Sequence, residues 1–145
     1  MSIKGKNIAI FAENGYEELE LWYPYYRMIE EGATVVLIGS GTSNKYVGKK
    51  GSYPVVVDKS INEVDSKDFD ALIIPGGWAP DNLRRHQKII DFTKEMFEQN
   101  KPVAATSKII PVRETRNISN VRIDNAVIVR IISGAIPIKS ADVKN

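Results

Sequence analysis

The first hundred residues alternate between short apolar runs and longer stretches in which apolar residues recur every three or four positions. The short runs, rich in β-branched residues, predict strands at 7–11, 34–38, 71–74 and 103–106. The longer stretches predict helices over 17–31 and 81–100, the second of them capped by Asp81. Strands that alternate with helices are typical of an α/β fold, so we expect one parallel sheet with the helices packed on it.

The pattern changes beyond the last of these strands. Residues 53–57 predict a further strand or hairpin arm, whereas residues 107–145 show no helical periodicity. Two segments of this tail, 126–132 and 135–138, are typical of strands around the Ser133–Gly134 turn. Because a strand of a doubly wound sheet is normally followed by a helix, such a tail is an unusual end for this fold.

Length and composition indicate a single domain. A chain of 145 residues, 43% of them hydrophobic, can bury one substantial core. Residues 1–100 contain 12 basic and 15 acidic side chains, but residues 101–145 contain 8 and 3. We therefore expect one domain over 1–145, with a regular core at 1–105 and a divergent tail at 106–145. The tail could reflect natural divergence or an alteration of the sequence, and the residues alone leave both open.

Several kinds of chemistry are excluded by composition. The chain contains no cysteine, which rules out disulfides, thiol catalysis and thiolate metal sites. The single histidine, His86, lies in a polar stretch typical of a helix surface, so neither a metal nor another cofactor is expected. Glycine-rich dinucleotide and P-loop motifs do not occur.

The charge pattern and the hydropathy argue against nucleic-acid and membrane partners. Net charge is +2, and the basic residues of the tail are scattered singly instead of forming one patch. No apolar run is long enough to cross a membrane or to form the centre of a signal peptide. We expect no nucleic-acid or membrane partner, and a cytoplasmic location.

Three loops should meet at the carboxyl ends of the parallel strands, where open α/β sheets bind their ligands. They are Gly15–Glu20, Ile74–Trp78 and Ala104–Lys108. The glycines at 76 and 77 allow close backbone approach and can direct N–H groups at an oxyanion. A plainer interpretation also exists, in which the glycines form an ordinary turn and the nearby glutamates are favourable charges in the first turn of a helix.

The residues of these loops and their flanks resemble the ThiJ/PfpI family. The similar segments are 16–27, 30–32, 48–51, 53–58, 69–77, 79–80 and 101–104, in family order and with near-family spacing over about residues 6–105. Within the family, the chain is most similar to PfpI-type intracellular proteases. The resemblance implies a flavodoxin-like three-layer sandwich, homo-oligomers and a nucleophilic cysteine on an elbow. Members are described as proteases, glyoxalases, deglycases and stress proteins.

Some functional residues of the family have matching positions here. Glu20 matches the glutamate that hydrogen-bonds the thiol, and Glu17 is a second carboxylate nearby. Gly76 and Gly77 match the family's oxyanion donors. The resemblance therefore implies that Glu20 acts in catalysis and that Glu17, Gly76 and Gly77 bind the substrate.

The elbow departs from the family pattern. Ser107 stands at the cysteine position, Lys108 at the histidine position and Ile109 at the glycine position. A serine hydroxyl needs a positioned base, and the side chain of Lys108, as the next residue along extended backbone, points away from it. Two hypotheses follow: an impaired PfpI-type hydrolase acting on a small carbonyl compound or a peptide, or a catalytically silent homologue that serves as a binding or oligomeric stress-response module.

The predicted first helix carries an aromatic cluster at Trp22, Tyr23, Tyr25 and Tyr26. Such residues can form a recognition surface, but packing in the core or between subunits is the commoner use. Together with the resemblance, the cluster predicts a homo-oligomer.

Overall fold

The computed structural model describes residues 2–51 and 53–106, together with the backbone of 128–129. Its strands are β1 (Asn7–Ala12), β2 (Thr34–Gly39), β3 (Lys45–Tyr46), β4 (Val55–Val56), β5 (Lys59–Ser60), β6 (Ala71–Ile74), β7 (Val103–Ala105) and β8 (Ile128–Val129). Its helices are α1 (Glu18–Glu30), α2 (Ala79–Leu83) and α3 (Gln87–Glu98), and single turns of 3-10 helix cover Ile61–Glu63 and Ser66–Asp68.

Six of these strands form one sheet in the order β5-β2-β1-β6-β7-β8. The first five run parallel to one another, which confirms the predicted parallel sheet. β8 pairs antiparallel with β7 and falls within the predicted strand at 126–132. The strand predicted at 135–138 lies outside the described residues.

The central strand β1 is buried at every position from Ile8 to Ala12, as expected when helices cover both faces of a parallel sheet. Leu21 of α1 is fully buried, and α3 buries Ile89, Phe92 and Met96. The Phe92 ring lies 5.5 Å from that of Phe11 and 5.8 Å from that of Phe69, measured between ring centroids. These contacts join α3 to the strand that leads into the candidate site.

One helix prediction was wrong. In place of a single helix over 81–100, the chain forms α2 and α3, separated at residues 84–86. Pro80 in the first turn of α2 starts that helix before Asp81, whose carboxylate instead binds Arg84 at 2.7 Å. Because α2 and α3 both present apolar residues to the same core, the apolar spacing alone could not reveal the break.

The predicted hairpin arm at 53–57 contains β4, which pairs antiparallel with β3. The partner strand has only two residues and was missed by the sequence pattern. Tyr46 of β3 is fully buried, and its ring lies against Gly39, where an added Cβ would come within 2.6 Å of the ring atom Cε2. The hairpin therefore covers the carboxyl end of β2, next to the loop that follows β1.

Candidate functional site

The crevice of this sheet lies between the carboxyl ends of β1 and β6. From β1 the chain moves outward to β2, whereas from β6 it moves outward in the other direction to β7, and ligands of open α/β sheets bind at such a reversal. The loops after β1 and β6 are joined there by backbone hydrogen bonds. The Glu17 N–H donates to the Gly76 carbonyl at 3.1 Å, and the Trp78 N–H donates to the Gly15 carbonyl at 2.7 Å.

Gly77 is required by this junction. Its φ is +81°, a conformation that other residues rarely adopt, and an added Cβ would lie 2.7 Å from the Glu17 nitrogen and closer still to the Gly15 carbonyl oxygen. The predicted close backbone approach therefore occurs, and the partner of Gly77 is the protein's own loop.

Glu20 lies at the centre of the site. Its Oε2 accepts a hydrogen bond from the Gly76 N–H at 2.8 Å and another from the Thr106 hydroxyl at 2.6 Å. The Gly76 N–H also lies 3.0 Å from Thr106 Oγ1. Glu20, Gly76 and Thr106, which come from α1, the β6 loop and the end of β7, thus form a closed polar cluster.

This cluster changes the expected donor pair. The Gly76 N–H is buried and engaged by Glu20, so it is not a free oxyanion donor. The half-buried Gly77 N–H has no acceptor among residues 2–51 and 53–106. Of the two expected donors, that of Gly77 is therefore the one without an acceptor in the described part of the chain.

Thr106 was missed by the sequence analysis. It is half-buried, and its N–H donates to the Ile74 carbonyl at 3.3 Å. The family's cysteine and histidine positions are the next two residues, Ser107 and Lys108, so these were the predicted site residues. Both lie outside the described residues, as does Ile109. The available signal was the position of a hydroxyl residue at the carboxyl end of a strand adjoining the glycine turn.

Glu17 lies at the rim of the site and is not part of the Glu20 cluster. Its Oε2 is 3.6 Å from the Nζ of Lys49, and the same ammonium lies 5.7 Å from the centroid of the exposed Trp78 ring. The Lys49 N–H donates to the Tyr16 carbonyl at 2.8 Å, which holds this loop against the site. Since both charges are partly solvated, the ion pair contributes little to stability, but it places a cation and an aromatic face beside Gly77.

A second carboxylate, that of Glu13, is buried behind the first loop. Glu13 is 4% exposed, and it accepts hydrogen bonds from the Asn14 N–H at 2.8 Å and from the Ser40 hydroxyl. Asn14 in turn accepts from the Val47 N–H at 3.0 Å through its side-chain oxygen. A buried carboxylate satisfied in this way fixes the path of the loop between β1 and α1.

Tyr16 links the loop after β1 to the segment around Tyr53, and its buried hydroxyl predicts that the stability of the protein falls at alkaline pH. The fully buried phenol donates to the Tyr53 carbonyl, and burial raises the pKa of the Tyr16 hydroxyl. Because the unfolded chain ionises this group first, its contribution to stability is present below about pH 10 and is lost as the pH rises through the folded-state value.

Tyr16→Phe should therefore lower the free energy of unfolding by about 1 kcal/mol near neutrality, with a difference from the parent that shrinks in strong alkali. Urea midpoints at about pH 8 and about pH 11 measure this. Tyr23→Phe on the exposed surface of α1 is the control. A Tyr16→Phe effect that is equal at both pH values would contradict the assignment.

No metal cluster is present in the described ranges: residues 2–51 and 53–106 contain no group of three or more His, Asp and Glu side chains that could hold a metal ion. His86 is half-buried at the start of α3. None of the helices described here is long and apolar enough to span a membrane.

A parallel sheet with flanking helices and a polar cluster at its switch point defines an α/β protein of the flavodoxin-like class. The chain belongs to the DJ-1/PfpI family, whose family model matches residues 6–108. A deglycase of Thermococcus kodakarensis is 46% identical over 98 residues, which are 68% of this chain and 58% of that protein. A two-domain protein of Anabaena variabilis, with DJ-1/ThiJ/PfpI-like and ferritin-like domains, has a crystal structure that is 39% identical, covers 69% of this chain and 29% of its own, and superposes with a TM-score of 0.66.

The extent of these matches differs. The aligned part spans little more than half the length of the Thermococcus kodakarensis protein. General stress protein 18 of Bacillus subtilis is 34% identical over 129 residues, covering 83% of this chain and 75% of that protein. The family model covers residues 6–108, which are 103 of the 145 residues, or about 71%. The alignment with general stress protein 18 covers a larger share of the chain and therefore continues into the tail.

Proposed function

We propose that this chain binds a small carbonyl or carboxylate compound, or the corresponding group of a peptide, at the Gly77 edge of the site. The observation that carries the proposal is the Glu20 carboxylate, held by the Gly76 N–H beside Gly77, whose N–H has no acceptor within the part of the chain that the structure describes. A fixed carboxylate next to a free N–H can hold both a hydroxyl or amine and a carbonyl oxygen of the same ligand. The names of relatives, a deglycase among them, support the same substrate class.

The proposal places the chain among PfpI-type hydrolases and deglycases with impaired thiol chemistry. These 145 residues contain no cysteine, and Ser107 and Lys108 stand where the family has its nucleophile and histidine. A cysteine is partly ionised at neutral pH, whereas a serine hydroxyl depends on a positioned base. We therefore expect peptidase activity and methylglyoxal consumption close to the uncatalysed background.

The test compares the parent chain with Ser107→Cys and with the triple variant Ser107→Cys, Lys108→His, Ile109→Gly. The single change should restore little activity because the histidine and the elbow glycine are still absent, and the triple change should restore more. Ser107→Ala is the matched control. Robust activity of the parent that disappears in Ser107→Ala would contradict the proposal and make Ser107 the nucleophile.

Ligand binding is measured separately, by ligand-observed NMR with pyruvate as the probe. Binding by the parent chain, weakened in Gly77→Ala and retained in Gly51→Ala, is the expected result. Gly51 also has a positive φ, of +70°, but an added Cβ there meets nothing within 4 Å. Absence of pyruvate binding in the parent would overturn the proposed site.

A second candidate function, assembly, is favoured by the outer surface of α1. Leu19, Tyr23 and Tyr26 are 76%, 68% and 61% exposed, and Trp22 stacks on Tyr26 with 5.9 Å between ring centroids. Aromatic residues in an exposed stripe are typical of interfaces between subunits. We propose a homo-oligomer that uses this face of α1. We also propose that the protein acts in the cytoplasm, without nucleic-acid or membrane partners. Light scattering that finds only monomers at micromolar concentration would refute the homo-oligomer.

A further inference from the structure

We propose that Thr106 is a hydroxyl nucleophile in this site, with Glu20 as its general base. The inference rests on the proposed function, because it assumes that a carbonyl group reaches the Gly77 edge. It differs in chemistry from a thiol mechanism and in position from the Ser107 expected at the elbow.

The first support is the contact between nucleophile and base. Thr106 Oγ1 lies 2.6 Å from Glu20 Oε2, within the range in which a base can accept a proton directly. Thr106 is half-buried, so its hydroxyl is neither sealed in the core nor freely solvated. A hydroxyl held in this way has a positioned base, which the sequence does not provide for Ser107.

The second support is the orientation of the base. An activated nucleophile is recognised by a base that a third group holds in place. Here the Gly76 N–H donates to Glu20 Oε2 at 2.8 Å, and it also lies 3.0 Å from Thr106 Oγ1. The same N–H can therefore orient the carboxylate and stabilise negative charge that develops on the threonine oxygen.

The third support is the donor that this cluster leaves free. Gly77 follows Gly76 directly, and its N–H has no acceptor among residues 2–51 and 53–106. A carbonyl carbon attacked by Thr106 would place its developing oxyanion near the glycine turn, where such a donor stabilises it. Thr106, Glu20, Gly76 and Gly77 would thus serve as the nucleophile, the base, the orienting group and the oxyanion donor of an acyl-transfer site.

The reaction with an ester follows from these positions. The Thr106 hydroxyl proton passes to Glu20 as Oγ1 bonds to the carbonyl carbon, and the carbonyl oxygen becomes an oxyanion. Collapse of this intermediate breaks the bond to the leaving oxygen, which takes the proton from Glu20 and departs as an alcohol or phenol, so that an ester remains on Thr106. Glu20, now deprotonated, takes a proton from water as the water oxygen attacks the ester carbonyl. The ester bond to Oγ1 then breaks, Glu20 returns the proton to Oγ1, and a carboxylic acid leaves.

The experiment uses p-nitrophenyl acetate as the probe. Release of p-nitrophenolate is followed by absorbance, and the acetylated residue is located by peptide mass spectrometry of the full chain. We expect acetyl-Thr106. Glu20→Gln should slow acylation by roughly 10²-fold or more, since it removes the base, and Thr106→Val should reduce release to the background. Thr106→Ser should preserve it.

Controls separate chemistry from folding. Thr34→Val makes the same change at an exposed position at the opposite end of the sheet and should match the parent. Circular dichroism checks that each variant folds, and mapping of the parent needs no variant. Acetyl found on Ser107 or on lysines alone, or release undiminished in folded Thr106→Val, would overturn the assignment of Thr106. If the parent binds pyruvate but is not acetylated at Thr106, the nucleophile assignment fails and the proposed binding function stands. If it does not bind pyruvate, the proposed function itself fails.

Discussion

Gly77→Ala is expected to lower the free energy of unfolding by about 2–5 kcal/mol and to remove the ligand site. Two costs combine. The alanine must adopt a φ of +81°, which costs roughly 1–2 kcal/mol for a residue with a Cβ. The Cβ must also displace the backbone of the loop after β1, and overpacking of this kind costs roughly 1–3 kcal/mol. Urea denaturation of the two chains measures the difference.

Gly51→Ala separates these two costs. Its φ of +70° imposes a similar conformational penalty, but nothing lies within 4 Å of the added Cβ. We expect a loss of only about 1–2 kcal/mol, with pyruvate binding unchanged. Equal losses in the two variants would contradict the close approach of the Gly15–Glu17 loop to Gly77.

Phe92→Ala should be comparably destabilising, by about 3–5 kcal/mol. Phe92 is 4% exposed and packs against Phe11 and Phe69, so truncation leaves a cavity bounded by strands that cannot collapse into it. Denaturant midpoints with an unchanged m-value would show a loss of stability without a change in the unfolded state.

Phe97→Ala provides the matched control on the same helix. Phe97 is half-buried, so the same truncation should cost only about 1–2 kcal/mol. Phe92→Ala should also keep its ligand binding per folded molecule, since its ring partners, Phe11 and Phe69, are not among the site residues. Loss of binding in a folded Phe92→Ala chain would show that the site depends on the packing of α3.

The sequence alone determined the main strands and their direction. Runs such as Ile8–Phe11 and Ala71–Ile74 are apolar because both faces of a parallel strand are covered. Such burial produces a continuous apolar run that can be recognised in the sequence. The tertiary structure decided where the second helix breaks and how the β3–β4 hairpin forms. The break depends on packing of α2 and α3 against a shared core. The hairpin depends on pairing of the predicted β4 with β3, and β3 has only two residues, too few to produce a local pattern.

The site divides in the same way. The sequence placed Glu20 and the glycine turn at one edge of the sheet, because the carboxyl ends of parallel strands must lie together. It could not tell that the Gly76 N–H is taken by Glu20 while the Gly77 N–H has no acceptor among residues 2–51 and 53–106, or that Thr106 meets the same carboxylate. Those facts depend on distances between residues 30 to 86 positions apart in the chain, and only the folded backbone sets these distances.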